Sequence, residues 1–178
     1  MFRFFYERKV LKSIEKSGLA LVFDDGGEDH PPYAYTTGLW DSAGSPELVV
    51  FGLGKDLASG VFARAFDEMK SGALVLSDGA RWSGVIANFD CKWRRVHPTQ
   101  LTTERFGTAL WYRHHRSGRY DDLNMYQLVW PDTAGRFPWD EGCSVEARMD
   151  QMPAYLPRDE DNPNAWWETI AREVGYPG

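Results

Sequence analysis

Two proline-centred turns, Trp130-Pro-Asp132 and Phe137-Pro-Trp139, most constrain what this chain can fold into. Proline lacks a backbone N–H and fixes its own φ, so neither a helix interior nor a central strand runs through either site. Just ahead, Met125-Tyr-Gln-Leu-Val129 is a short apolar run, read as a strand that ends at Trp130. Gly135 supplies a further turn between the prolines. Trp130 and Trp139 are thereby predicted on rigid backbone with Asp132 between them, a clasp against which the earlier chain folds.

Upstream, residues 2–17 read as a helix, with Val10, Leu11 and Ile14 on one face and Gly18 as its stop. Leu19–Phe23, Tyr33–Thr37 and Glu47–Phe51 read as strands. The loop Asp24–Pro32 carries several carboxylates, as calcium sites do, but lacks the ligand order of an EF-hand. Its Gly, Asp and Pro content reads as a solvated connection. Residues 38–46 are a turn-rich crossover. From Asp56 the period changes: Leu57, Val61, Phe62, Ala65, Phe66 and Met69 form a helical stripe, with Asp56 as predicted N-cap and Gly72 as terminator.

After the apolar run Ala73–Leu76, the segment 85–94 alternates. Val85, Ala87, Phe89, Cys91 and Trp93 take one side and polar residues the other, the period of a half-exposed antiparallel strand. Thr102 or Thr103 caps a helix carrying Phe106, Ala109 and Leu110 that stops near Gly118. His114 and His115 close it; adjacent helical residues diverge, so the pair reads as cations at a helix C-terminus, not as metal ligands. His97, at the strand-to-helix junction, carries only a weak signal. Residues 141–156 are irregular, 157–163 a charged linker, and Asn162-Pro163 starts a last helix with Trp167, Ile170, Ala171 and Val174 on its apolar face. The predicted fold is α+β: a mixed, mainly antiparallel sheet, or a partly closed barrel, with helices 56–70 and 103–116 packed on it and helix 2–17 at its side. Residues 1–156 form one domain; 157–178 dock on it or on a second subunit.

Composition limits the partners. A formal charge of −6 and pI ≈ 5.2 argue against a general nucleic-acid or anionic-membrane binder and suit a basic protein partner. No apolar run reaches the length of a membrane span, and charges interrupt the first residues where a signal peptide is unbroken, so the cytoplasm is expected. Cys91 and Cys143 lack zinc-ligand spacing, and a disulfide between them is not expected in that compartment. Cys91 falls on the apolar face of its strand and reads as a buried small residue.

No P-loop, dinucleotide fingerprint, nucleophile elbow or HExxH helix occurs, and no metal or cofactor is predicted. Gly52-Leu-Gly54 lacks the third glycine of a phosphate cradle and reads as the turn into a helix. What remains is a pairing of rings with hydrogen-bonding groups. Tyr35, Thr36, Thr37 and Trp40 surround the exit of one strand; Tyr126, Gln127, Trp130 and Asp132 line and leave another, with Trp139 beyond. Were those strands neighbours, these groups would converge on a shallow Trp-walled pocket for a small planar ligand. Asp132 would then be the candidate acid or base, assisted by Tyr35 or Cys91. The alternative is that the Trp rings are core and Asp132 caps its own turn.

The motifs Tyr35-Thr-Thr-Gly-Leu39, Pro46-Glu-Leu-Val-Val-Phe-Gly52, Gln127-Leu-Val-Trp-Pro-Asp132 and Gly135-Arg-Phe-Pro-Trp139 resemble, in order and spacing, the DUF4262 family of bacterial proteins. The similarity spans roughly residues 5–156 and leaves out the last helix. It implies no reaction and no ligand. It does imply that Tyr35, Thr36, Gly38, Gln127, Trp130, Asp132 and Trp139 form one spatial cluster. Three functions are carried forward: a binding or interaction module, including a toxin-neutralising immunity protein; a small enzyme acting in the Trp pocket; and a flavin-type cofactor-binding barrel.

Overall fold

The computed structural model describes residues 2–27, 30–86 and 88–175, with side chains from residue 4 onward among them. Ala87, which the alternation assigns to an apolar face, and Glu28 and Asp29 of the acidic loop lie outside the described residues. The described strands are β1 (Ala20–Asp24), β2 (Tyr33–Thr37), β3 (Glu47–Phe51), β4 (Arg81–Ile86), β5 (Phe89–Arg95) and β6 (Met125–Val129). They form one sheet in the order β1-β2-β3-β6-β5-β4. Only β3 and β6 are parallel; the other neighbours are antiparallel. The α+β, mainly antiparallel expectation holds, and the barrel alternative does not. β1 and β4 are free edges, because helices on both faces bury the sheet without closure.

The helices are α1 (Phe2–Ser17), α2 (Leu39–Ala43), α3 (Lys55–Ser71), α4 (Thr103–Ser117), α5 (Val145–Met149) and α6 (Ala165–Glu173). All five residues of β3 are buried, which is why it reads as an unbroken apolar run. Leu48 and Val50 pack with Leu128 against Val61 and Phe62 of α3. Val49 and Phe51 pack with Met125 on the other face, against Phe106 and Ala109 of α4. α3 starts one residue earlier than predicted, with Gly54 at its N-cap; Asp56 sits in the first turn, where its charge complements the helix dipole.

Two readings are corrected. The alternating segment 85–94 is not one strand but the closing part of a hairpin: Trp82 pairs with Cys91 and Ile86 with Phe89, and Asn88 turns the chain at φ 67°. Apolar residues continue on both sides of Asn88, and asparagine tolerates the left-handed backbone without a glycine or proline to mark it, so the sequence conceals the bend. The crossover after β2 and the stretch after the clasp each contain a one-turn helix, α2 and α5, too short for a periodic signal. α6 begins at Ala165 behind Asn164 and packs on α5; Ile170 and Ala171 are buried and Arg148 pairs with Glu173 at 2.5 Å.

Candidate functional site

The clasp is held by its own side chains. Asp132, 4% exposed, accepts from the backbone N–H of Ala134 and Arg136 and of Ser144, each at 2.9 Å, and from the Arg136 guanidinium at 3.1 Å. The Arg136 and Ser144 amides outweigh burial and hold the carboxyl below the ordinary aspartate range. A carboxylate so occupied is an anchor for the loop and not a free acid or base. Gln127, fully buried, donates to Met152 O at 2.9 Å and accepts from Ala154 N at 3.0 Å. Gln151 brackets Trp130 in the same way, and the Trp130 indole donates to Phe51 O at 2.9 Å. These groups tie residues 145–156 to the end of β6 and leave no amide for a ligand. Replacing Asp132 with alanine orphans three backbone donors; thermal melts should show Tm lower by roughly 5–10 °C.

Gly52 faces the same junction. A β-carbon there would lie 2.7 Å from Asp150 O and 3.0 Å from the Trp130 ring, at φ +73°. The space a phosphate would need beside Gly52 is filled by the chain itself, while Gly54 faces open space at the start of α3.

The expected convergence of the two strand exits does not occur. β3 lies between β2 and β6; it runs against β2 and along β6, so β2 leaves the sheet at the start of β3 and β6 leaves at its end. Four strand residues, about 13 Å, separate the two ends. At the β2 exit, the Thr36 hydroxyl donates to Glu47 at 2.7 Å and the Gly38 amide donates to the same carboxylate at 2.8 Å. Burial pushes Glu47 above the ordinary glutamate range despite these bonds. Among the described residues the buried Thr37 hydroxyl has no hydrogen-bond partner. Trp40, 43% exposed, lies under Arg113, 3.4 Å from its ring centre, and Arg113 forks onto Asp122 at 2.6 and 2.8 Å. A hollow of ≈ 240 Å³ lies beside these groups.

Tyr126 is half-buried on the α3 face of the sheet. Cys91 is fully buried on that face too, and burial pushes its thiol up to about 12. Cys143 is free as well and donates to Arg136 O at 3.4 Å. Neither thiol should react with a disulfide reagent in the native protein at pH 8, and both should react after denaturation; a stopped-flow thiol assay distinguishes the two.

A cleft of ≈ 500 Å³ lies elsewhere, between α1, the β1–β2 hairpin and α4. Of the predicted site residues only Tyr35 reaches it. Tyr33 and Tyr35, two apart on β2, point the same way and stack at 6.1 Å, with Phe106 edge-on to both at 6.1 and 5.3 Å. Phe106 departs from helical geometry (φ −118°, ψ 32°) and kinks α4. At the kink the Tyr33 hydroxyl donates to Arg105 O at 3.0 Å and the Thr108 amide donates to the Tyr35 hydroxyl at 3.4 Å. Burial pushes the Tyr35 phenol up to about 12, so it is a fixed hydrogen-bonding group at neutral pH. Tyr6 of α1 meets Thr108 at 3.1 Å across the cleft, and Trp111 and Tyr120 complete its wall. Asp24 stands at its edge, 3.0 Å from His30 Nε2; burial raises the Asp24 carboxyl, but His30 and the Gly26 amide outweigh it and hold the group below the usual range. Among the described residues no group of three His, Cys, Asp or Glu side chains is placed to hold a metal.

The sequence model of DUF4262, described as a domain of unknown function, matches residues 13–144. The chain belongs to the DUF4262 family. No curated protein and no solved structure matches it. The DUF4262 match covers the hairpin and α4 but stops before α5, so the segment locked by Gln127 and Gln151 lies beyond it. In this DUF4262 chain the cleft escaped sequence reasoning because its walls come from three distant segments. The legible signal was the i, i+2 pair Tyr33 and Tyr35, which a strand must place on one face.

Proposed function

We propose that this protein is a cytoplasmic bacterial binding module whose small-molecule ligand occupies the α1–α4 cleft. The observation that carries the reading is the cleft itself: ≈ 500 Å³, walled by Tyr and Trp rings and edged by polar groups, the size and lining of a small-molecule site. Binding is favoured over catalysis because the weighed catalytic groups are otherwise engaged: Asp132 in its loop, Cys91 in the core, Tyr35 against α4. The free cysteines suit a reducing compartment, and among the described residues no helix is long and apolar enough to cross a membrane.

Gly107 offers a clean test. It lines the cleft, and a β-carbon on it would meet nothing within 4 Å. Gly107→Leu should therefore fill the cleft while keeping, or slightly raising, stability, since glycine is the poorer helix former by about 1 kcal/mol. Ligand-observed NMR with an aromatic fragment set should give hits on the wild type that vanish on this variant. Hits that persist unchanged would place the site elsewhere.

A second reading, a protein-recognition surface, is favoured by the groove of ≈ 480 Å³ between the clasp and α6. Trp139 (39% exposed) and Leu156 (49%) rim it, and Arg94 and Lys92 lie over the Trp139 ring at 5.1 and 5.5 Å. Large apolar side chains beside cations are a common hot-spot composition. Those cations suit an acidic partner at this face; the basic partner expected from the net charge would dock on another.

A further inference from the structure

We propose that the groove between the clasp and α6 is a second ligand site, which takes a small carboxylic acid with an aromatic or alkyl body. Its carboxylate meets Arg94 and Arg148, and its body lies along the wall of Trp139, Leu156 and Trp166. The inference does not depend on the α1–α4 cleft, and it commits the groove to a small anion instead of a protein segment.

The donors are the first support. In a chain of net charge −6, the groove is lined by two guanidiniums and by no carboxylate. Arg94 lies over the Trp139 ring at 5.1 Å and the Tyr155 ring at 4.5 Å, and those two rings meet edge-on at 5.6 Å. Trp139 is itself stacked on Phe137 at 5.1 Å, so the clasp fixes a ring that holds the guanidinium. Arg94 donates through Nε to Asp78 at 3.0 Å, and Arg148 through Nη1 to Glu173 at 2.5 Å. Both of these carboxylates stand outside the lining and are about half exposed. The Nη1 and Nη2 groups of Arg94, and Nε and Nη2 of Arg148, have no hydrogen-bond partner among the described residues. A guanidinium held against rings with its terminal edge open suits a carboxylate, whose two oxygens match the planar fork.

The rest of the lining decides between occupants. Pro138 and Pro153 have no backbone N–H to offer, the Gln151 amide is taken up by Trp130 and Ala147, and the Thr169 hydroxyl donates to Ala165 O. An inorganic phosphate would meet guanidinium donors on one side and apolar surface on the other, where its lost hydration is not replaced. A cation would be repelled by both guanidiniums. A neutral ligand would cover their N–H groups and return too few acceptors. A carboxylate on an apolar body matches both halves of the groove, and the volume of ≈ 480 Å³ accommodates such a molecule. Both arginine side chains are mostly buried, where a charge pair is screened less than in open water.

The test uses the isotope-labelled full chain at neutral pH with 3-phenylpropionate and its uncharged counterpart 3-phenylpropanamide. Backbone amide shifts of Trp139 and Thr169 report occupancy. The acid should bind at least about tenfold more tightly than the amide. Arg94→Gln should weaken the acid about tenfold and leave the amide unchanged. Glu173→Gln, at an exposed position, frees Arg148 and should strengthen the acid several-fold, a gain that a misfolded variant does not give. Gly107→Leu should leave both affinities as they are, which separates this site from the α1–α4 cleft. If the amide binds as well as the acid, or if neither Arg94→Gln nor Glu173→Gln alters the affinity for the acid, the anion assignment is wrong. If an acidic tripeptide amide bearing the same phenyl ring binds more tightly than the acid, the face receives a protein segment and the small-acid assignment falls. If neither probe shifts the two reporters, or the shifts vanish in Gly107→Leu, the groove is not the site.

Discussion

Glu47→Ala is expected to lower the free energy of unfolding by about 3 kcal/mol, because it removes the buried acceptor of the Thr36 hydroxyl and the Gly38 amide. The Thr36 hydroxyl, the Gly38 amide and the first amides of α2 all converge on this carboxylate, which is 4% exposed. Without it β2 and β3 lose the tie that sets where α2 begins. Glu47→Gln refines the expectation, since it keeps the shape and removes the charge. Burial raises the folded-state value of Glu47, so the folded protein holds this proton more tightly than the unfolded chain does. The stability linked to this group is complete below the unfolded-state value and is lost as pH rises through the folded one. The deficit of Glu47→Gln relative to wild type should accordingly be widest in acid and narrow towards neutral pH. Urea titrations across that range decide it; a deficit that widens with pH would mean that the ionised form is the stabilising one.

Phe106→Ala should cost about 3–5 kcal/mol, the range for emptying a fully buried aromatic site. The ring is 0% exposed and stands edge-on to Tyr33 and Tyr35, and its own backbone makes the kink in α4. Its loss leaves a void behind both tyrosines and lets α4 straighten, so the Arg105 and Thr108 contacts that fix the two hydroxyls should loosen as well. Phe106→Leu keeps most of the volume and should cost well under half as much. Equal losses for the two variants would show that ring volume is not what holds the kink.

How much of this was legible depended on whether the signal was local. The buried strand β3 announces itself as Leu-Val-Val-Phe, and the α3 stripe through Val61, Phe62, Ala65 and Phe66 needs only its own period. The β4–β5 turn at Asn88 was hidden because an asparagine, not a glycine or proline, makes it, and apolar residues continue on both sides. The pocket expected from Thr36, Trp40, Gln127 and Trp130 failed on topology. Nothing in those residues says that β3 enters between β2 and β6, or that a parallel pair puts the β6 exit at the opposite end. The capping of the clasp by Asp132 was the simpler reading of an Asp just before a turn, and it is the one the hydrogen bonds support. The cleft needed the docking of α1 and the kink at Phe106, both products of tertiary packing with no period of their own.

The most direct test of the cleft as the binding site is a crystal structure of the protein soaked with small aromatic fragments. The account expects ligand density between α1 and α4, against Tyr33, Tyr35 and Trp111. Density confined to the groove beside Trp139 and Trp166, with the α1–α4 cleft holding only solvent, would contradict it.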